Sequence, residues 1–117
     1  MTLDDFNAFC RALPAATHVV QWGGSDVWKV GGKVFAIGIP NIECPAFTFK
    51  VSPIAFEILK DQPGLRPAPY LASRGLKWIQ HHAEPGWSNN ELRDLIGDSY
   101  RMIFDALPKK KQHELRI

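Results

Sequence analysis

Between Asp61 and Glu84 the chain carries no acidic residue, yet it holds Arg66, Arg74, Lys77, His81 and His82 with Tyr70 and Trp78 set among them. Cations of this kind contact phosphates, and an interleaved aromatic can stack on a base or pack against a sugar. A second basic feature is Trp28-Lys29-Val30-Gly31-Gly32-Lys33, in which two lysines flank a glycine pair. A projecting hairpin with a basic tip is how wing-type proteins reach a DNA backbone. Lys50, on the polar side of its strand, adds to the same field, and Lys109-Lys110-Lys111 forms a third cluster where cations also complement a helix dipole. The expected phosphate-contacting set is therefore Lys29, Lys33, Lys50, Arg66, Arg74 and Lys77. Tyr70 and Trp78 are expected to stack or to line a pocket, with Trp78 a packing residue if it is buried. The plainer reading is that tip and tail lysines only solubilise, and that the proline-containing loop only covers a core edge. No helix with exposed Arg, Asn or Gln suited to base reading is evident, so strong sequence specificity is not expected.

The same loop supports a different chemistry. Its apolar and aromatic residues from Pro67 to Trp78 could form a pocket or docking groove, with Arg66 or Arg74 holding an anionic group. Exposure of the cations on one face with the hairpin lysines would favour DNA, whereas convergence of the arginines into a concave pocket would favour a ligand or protein partner. Signs of catalysis are sparse. The chain has no phosphate-cradling glycine motif, no Gly-x-Ser-x-Gly elbow and no His-Glu-x-x-His helix. His18, His81, His82 and His113 lack metal-ligand spacing, and neighbours on a strand point to opposite faces. Cys10 falls on an apolar helix face, and Cys44 lies beside acidic Glu43, the opposite of the surroundings that activate a thiol. His82 with Glu84 could be drawn as an acid–base pair, but a polar turn before a capped helix accounts for both. A non-enzymatic protein without metal or cofactor is expected.

The elements that must position these residues alternate in period. Leu3, Phe6, Phe9, Cys10 and Leu13 recur at helical spacing behind a Thr2–Asp5 capping box, and Pro14 ends the run. From His18 to Val51 the period is two. Trp28 and Val30 alternate with Val27 and Lys29, Gly31-Gly32 makes a two-residue turn, and Lys33 to Ile39 puts Phe35, Ile37 and Ile39 on one face. After a loop from Pro40 to Pro45, Phe47, Phe49 and Val51 alternate with Thr48 and Lys50. Ser52-Pro53 opens a helix to about Lys60. Leu65 to Gly75 reads as an extended loop, and Lys77 to His82 as a short fifth strand. Ser88 and Glu91 cap the last helix, whose stripe is Leu92, Leu95, Ile96, Tyr100, Ile103, Phe104 and Leu107. Lys109 to Lys111 then reads as a solvated tail.

With 117 residues, 45% of them hydrophobic and 22% charged, the chain is one packed domain rather than a disordered or multidomain one. The net charge of +2 lies far below that of a strongly basic nucleic-acid binder. No apolar run reaches membrane-spanning length, and an acidic Met-Thr-Leu-Asp-Asp start is unlike a signal peptide, so a cytoplasmic protein is expected. A monomer is the expectation for its oligomeric state.

Taken together, Ser52-Pro53, Pro67-Ala68-Pro69-Tyr70-Leu71, Lys77-Trp78, Glu91-Leu92-Arg93-Asp94-Leu95-Ile96, Ser99-Tyr100 and Leu107-Pro108-Lys109-Lys110 make the chain resemble the MmcQ/YjbR family of small bacterial proteins over essentially its full length. The resemblance implies an α+β single-domain sandwich similar to bacterial frataxin, with an antiparallel sheet of about five strands and helices packed on one face. It also implies DNA binding through a double-wing motif, the wings falling on the Lys29–Lys33 hairpin and the Asn41–Pro45 connection. It supplies no catalytic residues. Frataxin-like iron binding is not expected, since the first helix offers only Asp4 and Asp5 where a hard cation needs a carboxylate cluster.

Overall fold

Thr2 Oγ1 accepts the Asp5 backbone N–H at 3.0 Å and the Asp5 carboxylate accepts the N–H of Thr2, closing the expected capping box and starting helix α1, Leu3–Arg11. In the computed structural model, which describes residues 1–41, 44–83 and 86–116, α1 leads into three strands. These are β1 (Thr17–Gln21), β2 (Ser25–Val30) and β3 (Lys33–Ile39), followed by β4 (Ala46–Lys50). Ser52 Oγ then accepts the Ala55 N–H at 3.1 Å and Pro53 occupies the first turn of α2, Pro53–Leu59. Strand β5 (Leu65–Pro67), a 3₁₀ turn over Ala72–Arg74 and strand β6 (Trp78–His81) precede α3, Asn89–Asp105, which opens on the Ser88–Glu91 capping box. A fourth helix, α4 (Lys109–Leu115), closes the chain.

The fold is α+β, with an antiparallel sheet in the order β1-β2-β3-β4-β6-β5. Among the described residues it has six strands rather than about five, because β5, three residues long, adds an edge within the stretch read as a loop. The lysine tail is likewise a helix turn. Gln112, the buried residue of α4, donates through Nε2 to the carbonyls of Asp105 and Leu107 at 3.1 and 2.8 Å, tying α4 to the last residue of α3 and to the link between the two helices.

All the helices cover one face. Phe6 and Cys10 of α1, Phe56 and Leu59 of α2, and Leu92, Ile96 and Phe104 of α3 join Trp28, Phe47, Phe49 and Ile79 of the sheet in one core. Each such large apolar side chain contributes about 1.5–3 kcal/mol on burial. The close approach of α1 depends on Gly38, where a Cβ would sit 2.7 Å from the Phe6 ring.

One departure from strict alternation decides what the other face carries. Trp28 pairs with Ala36 but Lys29 pairs with Val34, so Phe35 is an extra residue in β3, a β-bulge. Phe35 and Ala36 are therefore both buried toward the helices, and Val34, Ile37 and Ile39 lie on the opposite face. The sequence expectation of Phe35 sharing a face with Ile37 and Ile39 is corrected by this bulge. Ser99 of α3 secures it, donating from Oγ to the Phe35 carbonyl at 2.7 Å and accepting the Lys50 N–H at 2.9 Å.

A groove on the open sheet face

Cross-strand partners share a face, so the register runs Val27, Ile37, Thr48, Gln80 and Arg66 in one row across five strands of the helix-free face. Thr48 and Gln80 are buried at 3% and 4% exposure, unusual for polar side chains in the middle of a sheet. Each has its partner. Gln80 Nε2 donates to Thr48 Oγ1 at 3.1 Å, and Gln80 Oε1 accepts from Arg66 Nε at 2.8 Å and from Arg66 Nη2 at 2.6 Å. The chain of bonds fixes the Gln80 amide and holds the Arg66 guanidinium against the sheet. No carboxylate lies within ion-pair distance of Arg66 among the described residues. Its charge reaches His82, whose pKa is lowered first by burial and then by the nearby guanidinium.

Around this polar row lies a groove of about 590 Å³, within the range of small-molecule sites. Its floor is Val34, Ile37, Ile39, Ala46 and Trp78, and among the described residues no helix residue lines it. Two aromatics rise at its border: Trp22 from the β1–β2 turn and Tyr70 from the loop after β5, 61% and 85% exposed. Both have left-handed backbone, at φ 54° and 68°. Such a conformation costs a non-glycine residue about 1–2 kcal/mol. Tyr70 is the centre of a γ-turn in which the Leu71 N–H reaches the Pro69 carbonyl at 2.8 Å, and positive φ marks the rarer, strained form of that turn. Strained residues of this kind gather at ligand-binding sites.

The other clefts are built differently. One of about 320 Å³ is bordered by Lys50, Asp98, Arg101 and Asp105, but Arg101 already pairs with Asp98 at 3.1 Å. Its charges neutralise one another.

Comparison with known proteins places this architecture. The family model described as YjbR matches residues 11–102, most of the chain. The chain belongs to the YjbR family. It is 31% identical over 93 residues to the uncharacterized protein YbdF of Escherichia coli O157:H7, covering 78% of this chain and 74% of the relative. Among solved structures, protein DR2400 of Deinococcus radiodurans, a DUF419 domain, superposes with a TM-score of 0.86 over 97% of this chain and 87% of its own, at 21% identity. A Pseudomonas syringae structural-genomics protein superposes with a TM-score of 0.70 over 88% of this chain and 99% of its own, at 20% identity. These two likenesses are of fold.

In this YjbR domain the expected phosphate-contacting residues are dispersed. Lys29, paired with Thr17 and Val34, is on the open face, whereas Lys33, paired with Val30, is on the helix side. The hairpin between them does not project freely: Gly31, at φ 59°, lies so close to Leu107 that a Cβ would fall 2.6 Å from its Cδ1. Lys77 also turns to the helix side, its Nζ 4.9 Å from the Phe56 ring centroid. Arg74 is exposed on the 3₁₀ turn, and Lys50 pairs with Trp78 at the end of β4. The Asn41–Pro45 connection contains Ile42 and Glu43, and the His82–Glu84 pair contains Glu84; these lie outside the described residues. Cys10 is fully buried, and burial pushes its thiol pKa far up. What the fold does bring together is Arg66, Tyr70 and Trp78, with Trp78 only 8% exposed as groove floor. Trp22, Thr48 and Gln80 complete the site and were not singled out by the sequence. Their signals were an aromatic beside Gly23-Gly24, a polar residue set between two phenylalanines in Phe47-Thr48-Phe49, and a polar residue after the apolar pair Trp78-Ile79. No described helix is long and apolar enough to cross a membrane.

Proposed function

We propose that this YjbR domain is a non-enzymatic small-ligand-binding module whose site is the groove on the open sheet face. The observation that carries this reading is the Arg66–Gln80–Thr48 row: an exposed cation without a carboxylate partner among the described residues, oriented by hydrogen bonds at the border of an apolar floor. A polar row of this kind, buried at Thr48 and Gln80 and exposed at Arg66, beside an apolar floor suits recognition of a ligand that is mostly apolar and carries a hydrogen-bonding group. Among the described residues of the groove none supplies a nucleophile with an adjacent base, which is why binding is preferred to catalysis.

DNA binding, implied by the family resemblance, asks for several cations on one surface. Their division between the two faces of the sheet favours the ligand reading instead. The test is calorimetric titration with uncharged 2-naphthalenemethanol alongside fluorescence anisotropy with a duplex at several salt concentrations. Saturable probe binding, lost in a folded Ile37→Glu variant, is expected. Absence of probe binding, together with a duplex log–log salt slope of roughly −3 to −5 that drops by about one in Lys29→Ala or Arg74→Ala, would return the function to DNA.

A further inference from the structure

We propose that the ligand of this groove is an aromatic monocarboxylate, its carboxylate held by Arg66 and its ring by the Trp22–Tyr70 rim. The inference rests on the groove being the binding site and adds the class of molecule that fits it.

The charge comes first. Among the described residues lining the groove, Arg66 is the one ionised side chain. A guanidinium has five N–H donors. Gln80 takes one from Nε and one from Nη2, both on the same carbonyl oxygen, so the Nη1–Nη2 edge keeps its donors. That edge presents two parallel N–H groups, the geometry a carboxylate accepts in bidentate fashion. The single cation matches a single negative charge, whereas a phosphate dianion would call for more. Gln80, itself fixed by Thr48, keeps the fork from swinging away and so lowers the ordering cost of binding.

The ring follows from the rim. Trp22 and Tyr70 expose large aromatic faces at positions where glycine would be conformationally easier, and the two residues after Trp22 are glycines. The β1–β2 turn therefore does not need a tryptophan for its shape. Two aromatic faces above the Trp78 floor suit a flat, polarisable ring better than a flexible alkyl chain.

The test is calorimetry on the full chain with 2-naphthoate, 2-naphthalenemethanol and decanoate. The expected result is that 2-naphthoate binds at least tenfold more tightly than the alcohol and than decanoate. Arg66→Gln should bring the acid down to the alcohol's affinity without weakening the alcohol, and Arg66→Lys should restore part of the difference. Tyr70→Gly should weaken both naphthalene probes while leaving the thermal midpoint unchanged or higher, which separates a ligand contact from a structural one. Equal binding of acid and alcohol, or no effect of Arg66→Gln, overturns the carboxylate assignment with the groove reading intact. Decanoate binding as tightly as 2-naphthoate overturns the aromatic assignment. If neither naphthalene probe binds, it is the groove reading that fails.

Discussion

Arg66 and His82 report on each other. His82 has its pKa depressed, first by burial and then by the Arg66 charge, so the native state holds fewer protons than the unfolded chain between the depressed value and the ordinary 6.5. Unfolding then takes up protons in that window, and stability rises with pH through it, is complete above about 6.5, and falls as pH drops. Replacing Arg66 by Gln removes the second cause and leaves the first. The His82 midpoint, followed by its imidazole NMR signals, should move up toward 6.5 without reaching it, and the pH dependence of stability in that window should shrink. Saturating 2-naphthoate should move the midpoint in the same direction by neutralising the guanidinium, and by linkage the ligand should bind more tightly as pH falls through it. An unmoved His82 in Arg66→Gln would mean that the guanidinium does not sit over this end of β6.

At the scale of elements, the β3 bulge and α3 act as a unit. The bulge leaves Phe35 out of the ladder and turns Ile37 and Ile39 to the open face, making a groove floor of what would otherwise be core. Ser99 satisfies the freed Phe35 carbonyl and the Lys50 N–H at once, from a side chain with no exposure. Ser99→Ala should cost about 1–3 kcal/mol, because both backbone groups lose their partner in a dry site. It should appear as a lower urea midpoint at unchanged m-value. A change within about 0.5 kcal/mol would show that Ser99 does not hold the bulge. This unit also marks where sequence reading stops. The caps at Thr2, Ser52 and Ser88, the Gly31-Gly32 turn and the limits of β3 were legible because each is specified by residues within a few positions. The bulge was not, since alternation read locally assumes unbroken pairing and the register shift is set by the partner strand. Strand β5 was hidden by its length and by Pro63 and Pro67, and α4 by its lysines, because Gln112 acts only through the end of α3.

For the whole molecule, the division of labour is between two sheet faces. One is closed by helices into the core, and the other stays open with a hydrogen-bonded polar row at its centre and strained aromatics at its border. The apolar helix stripes made the first face predictable. The second was only half legible. Arg66, Tyr70 and Trp78 were marked by the acid-free window, but their convergence with Trp22, Thr48 and Gln80 depends on the strand order, in which β6 lies between β4 and β5. The same order separates the cations that a linear reading grouped for phosphate contact. The most direct test of this account is to map 2-naphthoate onto the isotope-labelled protein by amide chemical-shift perturbation. The account predicts shifts clustered at Ile37, Thr48, Arg66, Tyr70 and Gln80. Shifts confined to the α3 cleft around Asp98 and Arg101, or no shifts with naphthoate while duplex DNA moves Lys29, Lys33 and Arg74, would contradict it.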